Sequence, residues 1–125
     1  MAKQAPDAMI DASLEYVAAS NILHVCSGEP ANYAGIAAVS LADIALTPGD
    51  GNGDFVIGND TSGRKLDIAE QADVDIDVSD TATHIALALT SDTTLRYVTT
   101  CTSQALVDTG TVTVPTWKIN IADPS

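Results

Sequence analysis

From residue 54 onward, short apolar segments recur about every ten residues and are separated by turn-forming residues. The clearest alternation is ADVDIDVS at 72–79, where Val74, Ile76 and Val78 alternate with three aspartates. Because successive side chains of a β-strand point to opposite faces, we predict a strand with one apolar and one acidic face. The other predicted strands of this region cover residues 54–58, 64–69, 83–90, 94–102, 111–115 and 116–122. Strands at this spacing are typical of an antiparallel β-sandwich or barrel.

The first third of the chain lacks this regular spacing of strands and begins with a predicted helix. Residues 6–21 (PDAMIDASLEYVAASN) place Ile10, Leu14 and Val17 at helical spacing, which predicts an amphipathic helix. Residues 22–27 (ILHVCS) predict a short strand. In residues 31–46 the alanines favour a helix, while the turn signals at both ends and the Ile/Val spacing allow a strand. We expect a loop that leads into a strand.

The predicted fold class is therefore mainly β: an antiparallel β-sandwich or barrel with one N-terminal α-helix. A chain of 125 residues fits one domain. We assign residues 1–125 to a single β-rich domain, with a flexible arm at 1–5, the helix at 6–21 and strands within 22–122.

Charge excludes some classes of partner. The chain has 17 acidic and five basic residues, a net charge of −12, and its basic residues are scattered. Binding a nucleic-acid backbone or an anionic membrane needs clustered lysine and arginine, so we predict neither partner. No apolar run reaches the roughly 20 residues of a membrane span. The N-terminal residues lack the apolar core of a secretory signal, so we expect the protein to be made and kept in a cytoplasm, or released without secretion.

The best arrangement for nucleophilic chemistry is His24 with Cys26, two positions apart on one predicted strand and therefore on one face. No glycine-rich elbow or third orienting residue accompanies the pair, and His84, the other histidine, also lies in an apolar segment. We predict a packed strand face, no catalytic residues and no enzyme. Cys26 and Cys101 are read as two buried free thiols, with a single disulfide between them as the alternative.

Two acidic segments raise the question of a metal. In TPGDGNGDF (47–55), Asp50, Asn52 and Asp54 match ligand positions 1, 3 and 5 of a calcium loop. Phe55 replaces the glycine expected next, and Thr61 stands where the closing glutamate belongs. We therefore predict no metal site and read the segment as an exposed turn, because glycine, asparagine and aspartate are common turn formers. Asp50, Asn52 and Asp54 remain the candidate ligands, and Asp60 is the nearby carboxylate that could close the shell.

The second acidic segment is the aspartate face of residues 72–79. Asp73, Asp75 and Asp77 could hold a cation or contact a basic partner. We prefer a solvated outer face that discourages pairing between sheet edges. GDGNGD lacks the lysine-serine/threonine ending of a nucleotide loop, and we predict no cofactor.

Several stretches, among them DTSGRK, ATHIALAL, LRYVTTCTSQAL and VTVPTWKINIADP, resemble small virion structural proteins of tailed bacteriophages. The short helix PDAMIDASLEYVA and the segment LHVCSGEPANYA add to this resemblance, which is weakest across 36–60. It implies a role in assembly without catalysis, and it carries over no active-site residues.

Our leading hypothesis from the sequence is thus a capsid decoration or cement protein. Its partners would be the major capsid protein or other virion proteins, and it would form a homo-oligomer. It would be located in the virion, which assembles in the host cytoplasm. The alternatives are a tail or neck component and a host-surface or sugar-binding adhesion module. We expect contacts through the N-terminal MAKQAP arm and through exposed β-edges.

Overall fold

The computed structural model describes residues 7–61 and 63–121. The mainly β fold with an N-terminal helix, predicted from the sequence, is confirmed. The predicted arm at 1–5 lies outside the described residues. In chain order the elements are α1 (Asp7–Ala18), β1 (Ile22–Cys26), α2 (Tyr33–Val39), β2 (Ser40–Ala45), β3 (Phe55–Asn59), β4 (Arg64–Ile68), β5 (Gln71–Asp75), β6 (Asp80–Leu89), β7 (Thr94–Leu106), β8 (Thr111–Val114) and β9 (Trp117–Ile121).

The strands form three antiparallel sheets. Their orders are β2-β1-β6-β7, β3-β4-β9 and β5-β8. A single bridge between Ala42 and Ile76 links the chain after β5 to β2. A path of neighbouring strands therefore runs β8-β5-β2-β1-β6-β7, and β7 and β8 are its two ends.

One hydrophobic core lies between these sheets and α1. The helix contributes a single apolar stripe, as its spacing predicts, and the strands contribute alternate residues. Phe55 and Leu66 are fully buried on β3 and β4, and Leu23 and Leu87 are fully buried on the paired strands β1 and β6. The wider core includes Ile10, Leu14, Val17, Val25, Leu41, Leu46, Ile68, Val74, Ile76, Ile85, Leu106, Val112, Val114 and Ile119.

An ion pair fixes α1 against β4. Arg64 on β4 donates from Nε to Asp11 Oδ1 at 2.8 Å and from Nη2 to Asp11 Oδ2 at 3.1 Å. Such a two-pronged pair fixes orientation as well as distance, because the guanidinium fork matches the carboxylate. The helix ends at Ala18, three residues before the predicted end, where the Ser20 hydroxyl donates to the carbonyl of Val17 at 2.6 Å.

The loop predicted for the first half of residues 31–46 is wrong, whereas the strand predicted after it is found as β2. Residues Tyr33–Val39 form α2, a short second helix. Asn32 caps it, because its side-chain oxygen accepts from the backbone N–H of Gly35 at 2.8 Å. Ile36 anchors the helix as its buried residue. The alanine content that favoured a helix was therefore the better signal here.

The strand predicted at 72–79 is shorter and less regular than its alternation indicates. β5 ends at Asp75, and a bulge between Gln71 and Val74 accompanies a positive φ of 55° at Asp73. Beyond β5 the backbone N–H groups of 77 and 78 donate to the carbonyl of Leu41 on β2. Val78 is consequently 49% exposed, contrary to the prediction that it faces the core.

Candidate functional site

The glycines of the 47–55 segment have a conformational reason for their spacing. Gly49, Gly51 and Gly53 have φ angles of 101°, 80° and 120°. Residues with a Cβ rarely adopt such angles, so glycine is required at alternate positions of this turn. The alternating acidic and amide residues between them therefore follow from the path of the backbone.

The polar side chains of this turn bind the protein's own chain. Asp50 Oδ1 accepts from the backbone N–H of Ile57 at 2.9 Å. Asp54 accepts from the N–H of Thr47 at 2.6 Å through Oδ2 and from Gln71 Nε2 at 3.1 Å through Oδ1. These bonds make the segment a hydrogen-bonded turn that links β3 to the end of β2.

The third candidate ligand takes part in the same turn. Asn52 donates from Nδ2 to the carbonyl of Pro48 at 2.8 Å. Asn52 and its neighbours Asp50, Gly51 and Gly53 are exposed to solvent, as the prediction of an exposed turn requires.

Asp60 is directed away from these three residues and toward β9. Its Oδ2 accepts from Lys118 Nζ at 2.9 Å and from Asn120 Nδ2 at 2.7 Å, while Oδ1 accepts from the N–H of Thr61 at 2.8 Å. The hydrogen bond from Lys118 is the main cause of the lowered pKa of Asp60. Asp60 therefore links β9 to the end of β3 and does not close a shell around Asp50. Within 7–61 and 63–121, no three His, Cys, Asp or Glu side chains come together in a metal-binding arrangement.

The histidine–cysteine face lacks the features of a nucleophile and its base. Cys26 lies directly opposite His84 across the β1–β6 pair and is fully buried. Burial, with a smaller contribution from Cys101, raises the pKa of the Cys26 thiol to about 11. Since the thiolate is the reactive form, this thiol is a poor nucleophile at neutral pH.

His24 has another partner. Its Nδ1 lies 2.8 Å from the hydroxyl oxygen of Ser40 on β2. Desolvation by burial lowers its pKa, against the opposing effect of the nearby Asp43 carboxylate. The expected packed strand face, with a hydrogen-bonded histidine, describes this arrangement.

The two thiols are free, so the alternative of a disulfide is wrong. β6 separates β1, which carries Cys26, from β7, which carries Cys101. Strands lie about 4.8 Å apart, so two positions on next-nearest strands are too distant for a disulfide. Cys26 is buried as predicted, whereas Cys101 is only partly buried and lies beside a cleft.

The aspartates of the 72–79 segment are exposed, while Val74 and Ile76 are buried. Asp73, Asp75 and Asp77 line a shallow depression together with Asp43 of β2. A group of like charges facing water fits the solvated face that the alternation predicts.

One concave feature of the described residues was not anticipated from the sequence. A cleft of about 460 Å³ lies between β7 and β8 and is lined by the single tryptophan of the chain. Its lining consists of Val25, Ala82, Ile85, Thr99, Thr100, Cys101, Thr102, Gln104, Val112, Thr113, Val114, Pro115 and Trp117. None of these residues carries a formal charge, although the chain has a net charge of −12.

A signal for this cleft does exist in the sequence. Residues 97–107 contain no charged side chain, and 109–117 contain none either. In a chain with 17 acidic residues, two adjacent uncharged runs around one aspartate indicate a surface that is kept free of repulsion. Only the structure brings residues of the two runs together around one cleft.

Comparison with known proteins found no matching family model, no matching curated protein and no matching solved structure. Among the described residues, neither helix has the length and apolar character needed to cross a bilayer.

Proposed function

We propose that this chain is a non-enzymatic structural protein of a tailed-bacteriophage virion, and specifically a decoration protein that binds and stabilises the capsid. The observation that carries the proposal is the edge strand β7. It runs for 13 residues, pairs only with β6 in the sheet order, and carries no charge from Tyr97 to its end at Leu106. An unpaired, uncharged strand edge is a place where another chain can add.

The charge distribution supports an assembly role. Each of the described cations pairs with an aspartate of the same chain: Arg64 with Asp11, Lys65 with Asp67, Arg96 with Asp92 and Lys118 with Asp60. The remaining surface is dominated by carboxylates, which keep free copies apart in solution. A contact with a shell is therefore favoured where charge is missing, along β7 and the neighbouring cleft.

The chemistry of the titratable groups also supports a structural role. The buried thiol of Cys26 has a raised pKa, and His24 pairs with Ser40. Asp50 and Asp54 accept backbone hydrogen bonds that hold a turn. These side chains stabilise the fold. The resemblance of LRYVTTCTSQAL and VTVPTWKINIADP to virion proteins supports the proposal that this fold serves in a virion.

The test is the copy number and the effect of the protein in purified virions. A decoration protein should be present in amounts comparable to the major capsid protein, as measured by quantitative mass spectrometry. Heads from which it has been stripped should release DNA at a lower temperature, and adding the purified protein back should restore their stability. A copy number far below that of the capsid protein would indicate a tail or neck component. Unchanged head stability after its removal would contradict the decoration role.

A further inference from the structure

The cleft is lined by residues of β7 and β8, and each of these strands ends the sheet to which it belongs. Its lining includes the consecutive residues 99–102 of β7 and 112–114 of β8. Consecutive residues of a regular strand alternate between its two faces, so a cavity that touches 112–114 reaches the edge of β8. On β7 the register shifts opposite Ala82 and His84, so residues 101 and 102 of the lining lie in a bulge. Among the described strands β7 pairs only with β6 and β8 only with β5, so each has one edge without a neighbouring strand.

The floor of the cleft is apolar. Val25 and Ile85 come from the paired strands β1 and β6, and Val112 and Val114 come from β8. Trp117 lies at one side, packed against Tyr97 with a ring-centre distance of 6.1 Å. Trp117 Nε1–H is buried and has no hydrogen-bond partner among the described residues. The cleft therefore offers an occupant an apolar floor and one indole N–H that can donate a hydrogen bond.

The charge of the lining restricts the occupant. A charged group would leave water for a site without a counter-charge, which is costly. An uncharged backbone, by contrast, can pair with a strand edge that has no neighbouring strand, as the sheet orders give for β7 and β8. Among uncharged molecules, an extended polypeptide fits best, since it can pair with a strand edge on each side while alternate side chains reach the floor.

We propose that this cleft accepts an extended, uncharged strand from a neighbouring virion subunit, which pairs with β7 and β8 and joins the two ends of the strand path. This inference rests on the proposed function, because it names the chemistry of the partner segment. Small apolar side chains at alternate positions of that segment would contact Val25, Ile85 and Trp117.

The test uses the full chain and a capped pentapeptide, Thr-Val-Thr-Val-Thr, which repeats the pattern of β8. Trp117 is the only tryptophan, so its fluorescence and its indole N–H resonance report on the cleft alone. We expect a saturable change in both signals. A control peptide with proline at the central position should bind at least roughly tenfold more weakly, because proline removes a ladder donor.

Two variants of β7 separate the cleft from the rest of the strand. Cys101→Phe places a ring in the cleft, whereas Ser103→Phe adds the same ring at an exposed position that does not line it. We expect the first to abolish the peptide response and the second to retain it, with thermal unfolding confirming that both variants fold.

Three outcomes would overturn the inference. They are no response to the pentapeptide, an equal response to the proline peptide, or a response only to a neutral glycan or small apolar molecule. None of them depends on the virion experiment. The protein could bind heads while its cleft fails to bind the peptide, so failure of the strand inference and failure of the decoration role remain distinguishable.

Discussion

The guanidinium carbon of Arg96 lies 3.8 Å from the centre of the Tyr16 ring. Arg96 Nη1 also donates to the main-chain carbonyl of Tyr16 at 3.1 Å, and Nη2 donates to Asp92 at 3.2 Å. Tyr16 is in the last turn of α1, where the helix dipole and the free carbonyl groups favour a cation. One arginine of β7 therefore joins the C-terminal end of α1 to the turn between β6 and β7.

Replacing Arg96 should loosen α1. The side chain of Arg96 is only 9% exposed, although Tyr16 is 52% exposed, so Arg96→Ala removes a half-shielded cation–π contact and leaves a helix carbonyl without its donor. We expect the free energy of unfolding to fall by about 2 kcal/mol, measured by urea denaturation. The control is Lys65→Ala, which removes the ion pair with Asp67. These two side chains are 30% and 37% exposed, so the free energy of unfolding should fall by no more than about 0.5 kcal/mol. Equal losses in the two variants would show that the contact with Tyr16 contributes nothing specific.

Strand positions could be predicted from the sequence because the core is built from alternate apolar residues. The segment 83–90, nearly continuous and apolar, lies within β6 except for its last residue, and Ala86, Leu87 and Ala88 of this strand are fully buried. Periodicity could not show where a ladder ends. Val78 continues the alternation of Val74 and Ile76, yet the chain has already crossed to β2 at that point.

The candidate sites were harder to predict, since they depend on contacts between distant segments. The residue types of the 47–55 turn suggested half a calcium loop, but the partners of its aspartates are Thr47, Ile57 and Gln71. Likewise, the two uncharged runs around Asp108 could be read from the sequence, whereas the cleft between them required the sheet order.

The glycines of the turn offer a clean comparison. A Cβ added at Gly53 or at Gly58 would meet no atom within 4 Å, but only Gly53 has a left-handed φ, at 120°. Gly53→Ala should therefore destabilise the protein by about 1–2 kcal/mol through backbone strain. Gly58→Ala, within β3, should be neutral or slightly stabilising. Thermal and urea unfolding of the two variants would measure the difference, and equal effects would contradict this explanation of the turn.

The aspartates of the turn should act as acceptors for backbone groups and not as metal ligands. We expect the unfolding temperature to be the same in calcium and in EDTA. Asp50→Asn keeps an oxygen for the N–H of Ile57 and should change stability little, whereas Asp50→Leu should cost about 1 kcal/mol. A calcium-dependent rise in unfolding temperature that Asp50→Asn abolishes would instead establish a metal site at this turn.

Stability should fall as the pH is lowered through the range of histidine titration. The pKa of His24 is lowered by burial from its ordinary value of 6.5. At a pH between the lowered pKa in the folded chain and the ordinary pKa in the unfolded chain, only the unfolded chain binds the proton. The free energy of unfolding therefore rises with pH in this range, and the stabilisation is complete above about pH 6.5. His24→Asn should flatten this part of the pH profile of urea unfolding. Asp43→Asn should steepen it, because the Asp43 carboxylate favours the protonated ring. If the original chain, His24→Asn and Asp43→Asn gave the same pH profile, His24 would be excluded as the cause of the pH dependence.

The two thiols should differ in reactivity by a wide margin. Cys101 is partly exposed beside the cleft, whereas Cys26 is fully buried and its pKa is raised from 9.0 to about 11. Relative to an ordinary thiol, this lowers the thiolate fraction of Cys26 roughly 100-fold. Burial also raises the pKa of Cys101, so the difference between the two thiols comes mainly from the burial of Cys26, which blocks the reagent. Ellman's reagent should therefore titrate one thiol in the folded protein and two in urea, and Cys101→Ser should remove the fast phase. If Cys26→Ser removed it instead, β1 would have to open readily, contrary to its position between β2 and β6.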